Sequence, residues 1–496
     1  MKETYDAPSY MKEPTNKAVK DLLAFIEAYP SKDMQDLVRG GWATKVRFQI
    51  QAGVVAKLLR ALSQKAGRPV VVYGLNAFIY TGRYLAPINP HVLEDLHFGI
   101  CEAAGLSTQE WHDQTYYERF LKAVVRDTNY KSYFGNILPK PGVLFKDGFV
   151  DIKGKLHRDV KPSWLCMYEV QCNWERDTPR GTRFMDVVNH AVDNKEEKSY
   201  MLASFGNAIA GDPLNAQKAL LLVGLGGTGK STIQDAVSSV VGAHNRYDVD
   251  SIGQLAEQNG QHAGPTEFAT LCIAADSSAN VKKVDVIKKF ISKEPVKAKE
   301  LFIQPRVIRP RSAIIVGSND AQIERLLHDD GIFRRFDIIG FWNRVSADQK
   351  DSKLHEKLAE ETADIGWIVV KAMVKHAKAN NMNLTRPASL AARLQNARDE
   401  GDVVSSALSQ MGARIATKGG EGVWVYWPDI KTNVMELAQD DGYEVKAMQI
   451  KAKLKAAGHN SQELPEPFHL NRYAFYRLEI LDPDVFRSFN LKTKNF

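Results

Sequence analysis

Eight residues carry the most specific chemistry in the chain. Gly224-Leu-Gly-Gly-Thr-Gly-Lys-Ser231 has the spacing GxxxxGK[ST], follows the apolar run Ala219 to Val223 and opens a helical pattern from Ser231 to Val241. Strand, glycine loop and helix in that order make a phosphate cradle. Gly226, Gly227 and Gly229 let the backbone curl so that its N–H groups face the phosphates, helped by the positive end of the helix. Lys230 is expected to contact the β and γ phosphates, and the Ser231 hydroxyl to complete a magnesium site. Gly224, Thr228 and Thr232 line the rest of the cradle. ATP and Mg2+ are therefore the expected ligands.

Partners for the metal and for the attacking water belong at the ends of neighbouring buried strands. TLCIAA runs into Asp276, the expected second magnesium-organising acid, and SAIIVG ends in Ser318-Asn319. The Asn319 amide suits a sensor of the γ phosphate that also positions water. GIFRRF sets Arg334 and Arg335 ahead of an apolar strand, where an arginine supplied to a neighbouring subunit would stabilise transition-state charge. Plainer roles exist for each: an aspartate or asparagine that begins a turn, and a surface arginine pair bridged to carboxylates. Ser277 and Ser278, rather than a second carboxylate, follow Asp276, so the sequence assigns no water-activating group.

These residues need a scaffold. ALLLVG, TLCIAA and SAIIVG are short and almost wholly apolar, as strands buried on both faces of a parallel sheet must be. They alternate with helical segments over residues 201–378, the expected ATPase domain, whose last helix runs from Lys350 to about Ala379 and ends at NMNLTRP. Residues 1–165 read as α+β modules suited to a collar, to oligomerisation or to admitting DNA. They carry helical patterns at Lys17–Ala28, Gln49–Gln64, His91–Ala104 and Thr108–Asn129, a hairpin around Gly74 and Gly82, and short strands in FGNILPKPGVLFKDGFVDIKGKL. Residues 166–200 are a connecting helical segment.

Residues 379–496 read as a second small α+β domain, with a Gly-rich turn in TKGGEGVWVYW and a helix near Tyr443 to Ala457. Two readings stand for it. VKAMQIKAKLKAAG and RYAFYRLEIL have the look of a recognition helix and a wing strand, with Lys446, Lys451, Lys453 and Lys455 supplying charge. From Lys431 onward, however, ten basic residues face nine acidic ones, which suits a structural cap equally well.

The charge has a definite location. The chain has 496 residues, 66 Lys plus Arg against 59 Asp plus Glu, and a net charge of +7. Between Val281 and Arg311 stand Lys282, Lys283, Lys288, Lys289, Lys293, Lys297, Lys299, Arg306, Arg309 and Arg311, opposed only by Asp285, Glu294 and Glu300. That segment alone matches the excess of the whole protein. It contains the expected hairpin VKAKELFIQPRVI, with Gln304-Pro305 at its turn, in which basic residues alternate with Phe302 and Ile303. Such a strip would grip a phosphate backbone and touch bases; a solvated charged face is the plainer alternative.

Composition closes other routes. At 44% apolar and 25% charged the chain is ordinary globular material, and no stretch approaches the length of a membrane span or a secretion signal. Cys101, Cys166, Cys172 and Cys272 form no CxxC, and no histidine cluster has zinc-ligand spacing. A reducing, cytoplasmic setting without membrane contact or structural metal is expected.

GLGGTGKS, Asp276, IKKFISKEPVKAKELF, VGSN and GIFRRF occur in the order and close spacing of superfamily 3 helicases, the AAA+ ATPases of viruses, phages and plasmids. FKDGFVDIKGKLHRDV and YMLASFGNAIAGDPLNAQKALLLVG resemble the region ahead of the ATPase in the poxvirus-type and phage/plasmid primase-helicase branch. The resemblance covers roughly residues 70–345 and implies an α/β fold: an AAA+ core with a helix-covered parallel sheet, flanked by smaller N-terminal and C-terminal α+β domains. It implies ATP and Mg2+ at Lys230, Ser231 and Asp276, γ-phosphate sensing by Asn319, and Arg334 or Arg335 acting across a homo-hexamer interface. Lys288, Lys289, Lys297, Lys299, Phe302 and Arg306 would then line a channel for single-stranded or forked DNA. Relatives usually move 3′ to 5′, and many carry a primase whose metal site needs clustered carboxylates. Residues 1–150 show no such pair, so a separately encoded primase or polymerase is the expected partner. The leading expectation is a replicative DNA helicase of a phage, plasmid or similar element. An ATP-dependent initiator or helicase loader is the alternative, and a small-molecule kinase would leave the basic hairpin without a purpose.

Overall fold

The structure is a computed structural model. It describes the chain except residues 1–8, 31–32, 35–47, 74–75, 106–113, 127–139, 162–163, 177–182, 215–216, 225, 258–259, 261, 275–283, 300–305, 319–329, 347–349, 393–402, 417–421, 441–446, 457–474, 492 and 495–496. The chain divides into two compact units, one of Met1–Asp320 with Arg335–Leu390, the other of Ala321–Arg334 with Ala391–Phe496.

In the first unit, helices α1 (Ser9–Ala28), α2 (Phe48–Lys65), α3 (Pro90–Ala103) and α4 (Gln114–Arg126) surround an antiparallel sheet of β1 (Val70–Tyr73), β2 (Asn76–Tyr80) and β3 (Leu85–Ile88). They share a core of Leu22, Ile26, Leu58, Leu62, Leu96 and Phe120. In place of the hairpin expected around Gly74 and Gly82, the chain forms a three-stranded meander. The Gly/Pro-rich stretch supplies a second, β4 (Gly142–Phe145), β5 (Gly148–Asp151) and β6 (Leu156–His157).

Helices α5 (Arg183–Ala191) and α6 (Lys195–Ile209) lead into the central sheet. Asn194 starts α6 by accepting from the backbone N–H groups of Glu196 and Glu197, which removes two otherwise unpaired donors. The sheet contains β7 (Ala219–Val223), β8 (Arg246–Val249), β9 (Leu271–Ala274), β12 (Ala313–Ser318) and β13 (Phe336–Gly340), all parallel, in the order β13-β7-β12-β9-β8. The helix after the glycine loop, α7, spans Lys230–Val241. Every residue of β7, β9, β12 and β13 is buried, as their apolar composition requires. Leu222 has no exposed surface, so truncating it to alanine would cost about 2–5 kcal/mol through lost contacts and an unfilled cavity. Strand β8 escaped the sequence pattern because it is the edge strand. Arg246 and Asp248 face outward there and pair with each other, and Arg246 also meets Asp235.

One expected element needs correction. The helix from Lys350 to Ala379 is two helices, α9 (Leu354–Glu360) and α10 (Thr362–Ala379). Glu361 separates them: its carboxylate turns away to accept the backbone N–H of Phe184 at 3.1 Å, and the Thr362 hydroxyl donates to the Ala359 carbonyl.

The second unit carries a four-stranded antiparallel sheet in the order β14-β16-β15-β17, from β14 (Ala413–Ile415), β15 (Val423–Tyr426), β16 (Phe475–Ile480) and β17 (Thr493–Lys494). Helices α11 (Val403–Gln410), α12 (Trp427–Asp440) and α13 (Ala447–Ala456) complete it around Leu408, Val425, Val434, Leu454 and Leu478. The expected helix near Tyr443 is α13, while α12 was hidden behind the aromatic run VWVYW. The ammonium of Lys451 lies 4.9 Å above the Trp427 ring. Among the described residues, no helix is long and apolar enough to cross a membrane.

Candidate functional site

The glycine loop joins the carboxyl end of β7 to the amino end of α7. Two glycines explain its path. Gly224 lies so close to the chain leaving β13 that a Cβ would sit 1.9 Å from the Phe341 carbonyl oxygen, which no side chain could share. Gly229 caps α7 with φ 90, a left-handed conformation that side-chain-bearing residues avoid. In front of Gly226 and Gly227 the space is open, with no atom within 4 Å of a built Cβ. The loop therefore offers an uncovered backbone edge beside the first turn of a twelve-residue helix, the arrangement that receives phosphate.

Lys230 is buried and its ammonium donates to the Gly224 carbonyl, bridging the two ends of the loop. Thr228 is buried, Thr232 half-buried, and Ser231 exposed on the first turn. This donor set fits a nucleotide phosphate with its divalent ion: one cation, one exposed hydroxyl and a row of N–H groups. Asp276 and Asn319 lie outside the described residues. The strands that carry them toward the site are described. β9 ends at Ala274, and β12 ends at Ser318, whose carbonyl accepts from the Gly224 N–H at 3.2 Å. On the other flank, Phe341 donates its N–H to the Val223 carbonyl at 2.7 Å and Val345 donates to the Gly227 carbonyl at 3.1 Å. Asn343 continues this contact, its amide donating to the His190 carbonyl and to Asp193.

The basic segment forms helix α8 (Val284–Ile291) and a hairpin of β10 (Val296–Ala298) with β11 (Arg306–Ile308). Its turn and Phe302 lie outside the described residues. In the stem Val296, Ala298 and Ile308 are buried, while Lys297, Lys299, Val307 and Arg309 are exposed; the expected alternation with Phe302 and Ile303 falls outside the described residues. Lys297 stands opposite Val307, and Arg306 opposite Ala298. Lys289 is exposed on α8, whereas Lys288 is partly covered and meets Asp285 at 3.0 Å.

The structure also divides what the sequence presented as one charged strip. The Lys293 ammonium points inward, donating to the carbonyls of Arg311 and Ser312 and lying 3.5 Å from Asp212. Burial pushes the Arg311 guanidinium down to about 10. These two residues belong to the hairpin's foundation. The arginines ahead of β13 also differ: Arg334 is exposed, and Arg335 donates from Nε to Ser292 Oγ at 2.8 Å.

At the amino end of the sheet, Asp337 is almost fully buried, accepts from the Tyr200 hydroxyl and from Arg386, and has Lys218 3.9 Å away. Burial beside Asp337 pushes the Tyr200 phenol well up. Sequence reasoning missed this group because its members are scattered from 200 to 386. Only a charge inside the apolar run FDIIG signalled it.

Residues 222–335 match a family of unknown function (DUF5906). No curated protein matches the chain. Among solved structures, one apo structure of the C-terminal region of NrS-1 is similar over 86% of this chain and 99% of that one, at 11% identity and a TM-score of 0.44. Another apo structure of the same region covers 71% and 76%, at 12% identity and 0.42. A structure of JCV helicase with a bound small molecule covers 47% of this chain and 65% of that one, at 14% identity and 0.28. The strand order and the glycine loop, rather than these distant likenesses, define the α/β, AAA+-like core.

Proposed function

We propose that the chain is an ATP-driven DNA helicase of the superfamily 3 type, serving replication of a phage, plasmid or similar mobile element. In this reading the glycine loop, Lys230 and Ser231 hold ATP with Mg2+, Asp276 organises the ion, and Asn319 senses the γ phosphate. The ion would neutralise charge developing on the phosphates. Six copies form a ring, each presenting Lys297, Lys299 and Arg309 to a single strand in the channel and moving along it 3′ to 5′. A separately encoded primase or polymerase is the expected partner.

The observation that carries this reading is the placement of β12. At its amino end β12 continues from the basic hairpin, and at its carboxyl end Ser318 is hydrogen-bonded to Gly224 of the phosphate loop. One buried strand thus joins the element suited to hold nucleic acid to the element suited to hold fuel. A kinase for small molecules gains nothing from that connection.

The test is strand displacement on a 3′-tailed fork with ATP and Mg2+. ATP-dependent unwinding is the expected result. DNA-stimulated assembly without unwinding would replace the motor by the second reading, an initiator or helicase loader.

A further inference from the structure

The excursion made by α8 and the hairpin leaves the core at Ser292-Lys293 and returns at Arg311-Ser312. At this neck the Lys293 ammonium donates to the Arg311 carbonyl at 3.0 Å and to the Ser312 carbonyl, so one side chain ties the outgoing limb to the returning one. Its third neighbour is Asp212, 3.5 Å away, on the turn after α6. Asp212 is itself fixed. Its carboxylate accepts from the Asn207 side chain at 2.6 Å and its N–H donates to the Asn207 carbonyl at 2.7 Å.

Both members of this pair have left-handed backbones, Lys293 with φ 59 and Asp212 with φ 58. Residues with side chains keep that conformation only where their surroundings over-determine it, and such positions gather at sites with a mechanical or chemical task. Burial pushes the Asp212 carboxyl up and the Lys293 ammonium down, so each charge is held against its own desolvation. The returning limb is anchored as well: Ser312 donates its hydroxyl to the carbonyls of Thr266 and Ala269, and Arg311 its N–H to Thr266. A lysine present only to attract phosphate would keep its ammonium in water.

We infer that Lys293 is a positioning residue that locks the neck of the basic hairpin to β12 and to the Asp212 turn, so that displacement of β12 reaches Lys297 and Lys299 undiminished. The inference rests on the motor reading above. Without the lock, hydrolysis would continue while the hairpin pivoted on a loose base, and fuel use would part from movement.

The experiment uses the full chain with Lys293→Met, Lys293→Arg and Asp212→Asn. It measures base pairs opened per ATP hydrolysed and hydrogen exchange of the hairpin amides. Lys293→Met is expected to retain DNA-free ATPase, to lose about tenfold in base pairs per ATP, the scale of coupling carried by a packed network, and to exchange faster in the hairpin. Lys293→Arg, which keeps charge and donors, restores most of the ratio. A folded Lys293→Met protein with wild-type ratio and exchange overturns the inference. If Lys293→Met does not fold, Asp212→Asn decides. It keeps the Asn207 contact, and a fall of about threefold is expected, within the same coupling range; no change overturns. A wild-type protein that opens no duplex would sink the motor reading instead, and hairpin exchange in the variants would then judge the lock alone.

Discussion

Arg335 Nε donates to Ser292 Oγ at 2.8 Å, joining the turn ahead of β13 to the end of α8 within a single chain. The Arg335 carbonyl also accepts from the Ala219 N–H at 2.8 Å, so the residue is held at both its side chain and its backbone. Arg334 beside it is exposed, and on the proposed motor reading it is the arginine that serves another subunit. Arg334→Ala should lower DNA-stimulated hydrolysis on the order of 10³-fold, the effect of removing an arginine finger. Mixing it with Lys230→Ala subunits should restore part of the activity, because hybrid interfaces then contain one intact loop and one intact arginine. Arg335→Ala should instead lower the melting temperature and leave hydrolysis largely in place.

Lys230 closes the loop onto Gly224 and supplies its only buried ammonium among the described residues. Lys230→Ala is expected to reduce ATP hydrolysis on the order of 10²–10³-fold, as loss of one preorganised donor does elsewhere. Circular dichroism and sedimentation should be nearly unchanged. Hydrolysis within tenfold of wild type would remove Lys230 from the chemistry.

Lys297 and Lys299 project from the hairpin stem. The double change to alanine should weaken single-strand binding and lower the slope of log affinity against log salt by about 1.4, since each phosphate contact on a single strand contributes about 0.7. DNA-free ATPase should not move. A titration of affinity at several salt concentrations decides, and an unaltered slope would place the strand elsewhere.

Arg386 shields the Asp337 carboxylate, which has almost no access to water. Arg386→Ala leaves Asp337 buried with a tyrosine hydroxyl and a lysine 3.9 Å away, and should cost about 3–5 kcal/mol in chemical denaturation. Combining it with Asp337→Asn should recover part of the loss, because the stranded charge disappears.

His244 gives the fold a pH limit. Burial lowers it from 6.5 to about 4, with its Nε2 3.2 Å from the Met167 carbonyl and 2.8 Å from the Asn245 amide. Below pH 6.5 the unfolded chain takes up a proton that the folded chain refuses until about 4. Stability should fall as pH drops through that window, by on the order of 3 kcal/mol in full, and be independent of this group above it. Urea denaturation of wild type and His244→Gln between pH 4 and 7 measures the difference.

Much of the core was readable in the chain. Ala219 to Val223, TLCIAA and SAIIVG announced themselves because burial on both faces leaves few polar residues, and the glycine loop because its GxxxxGK[ST] spacing falls between a strand and a helix. The hairpin was readable in VKAKELFIQPRVI, whose two ends pair as β10 and β11. What stayed hidden depends on contacts distant in sequence. Edge strand β8 carries the charges of a surface loop, Glu361 breaks a helix to reach Phe184, and Lys293 looks like nine other basic residues until its partners are located. Net charge counts ammonium groups; it says nothing of which way they point.

On the proposed reading, the base of the glycine loop has a consequence for how a product would leave. Gly224 leaves no room for a side chain beside the Phe341 oxygen, and the Gly227 carbonyl accepts from the Val345 N–H. These contacts tie the floor of the loop to the chain running out of β13, so on the proposed reading a spent nucleotide would not leave through it. In that reading release comes from the rim, where Ser231 is exposed and the space before Gly226 is open, and whatever covers that rim would govern the pace of exchange.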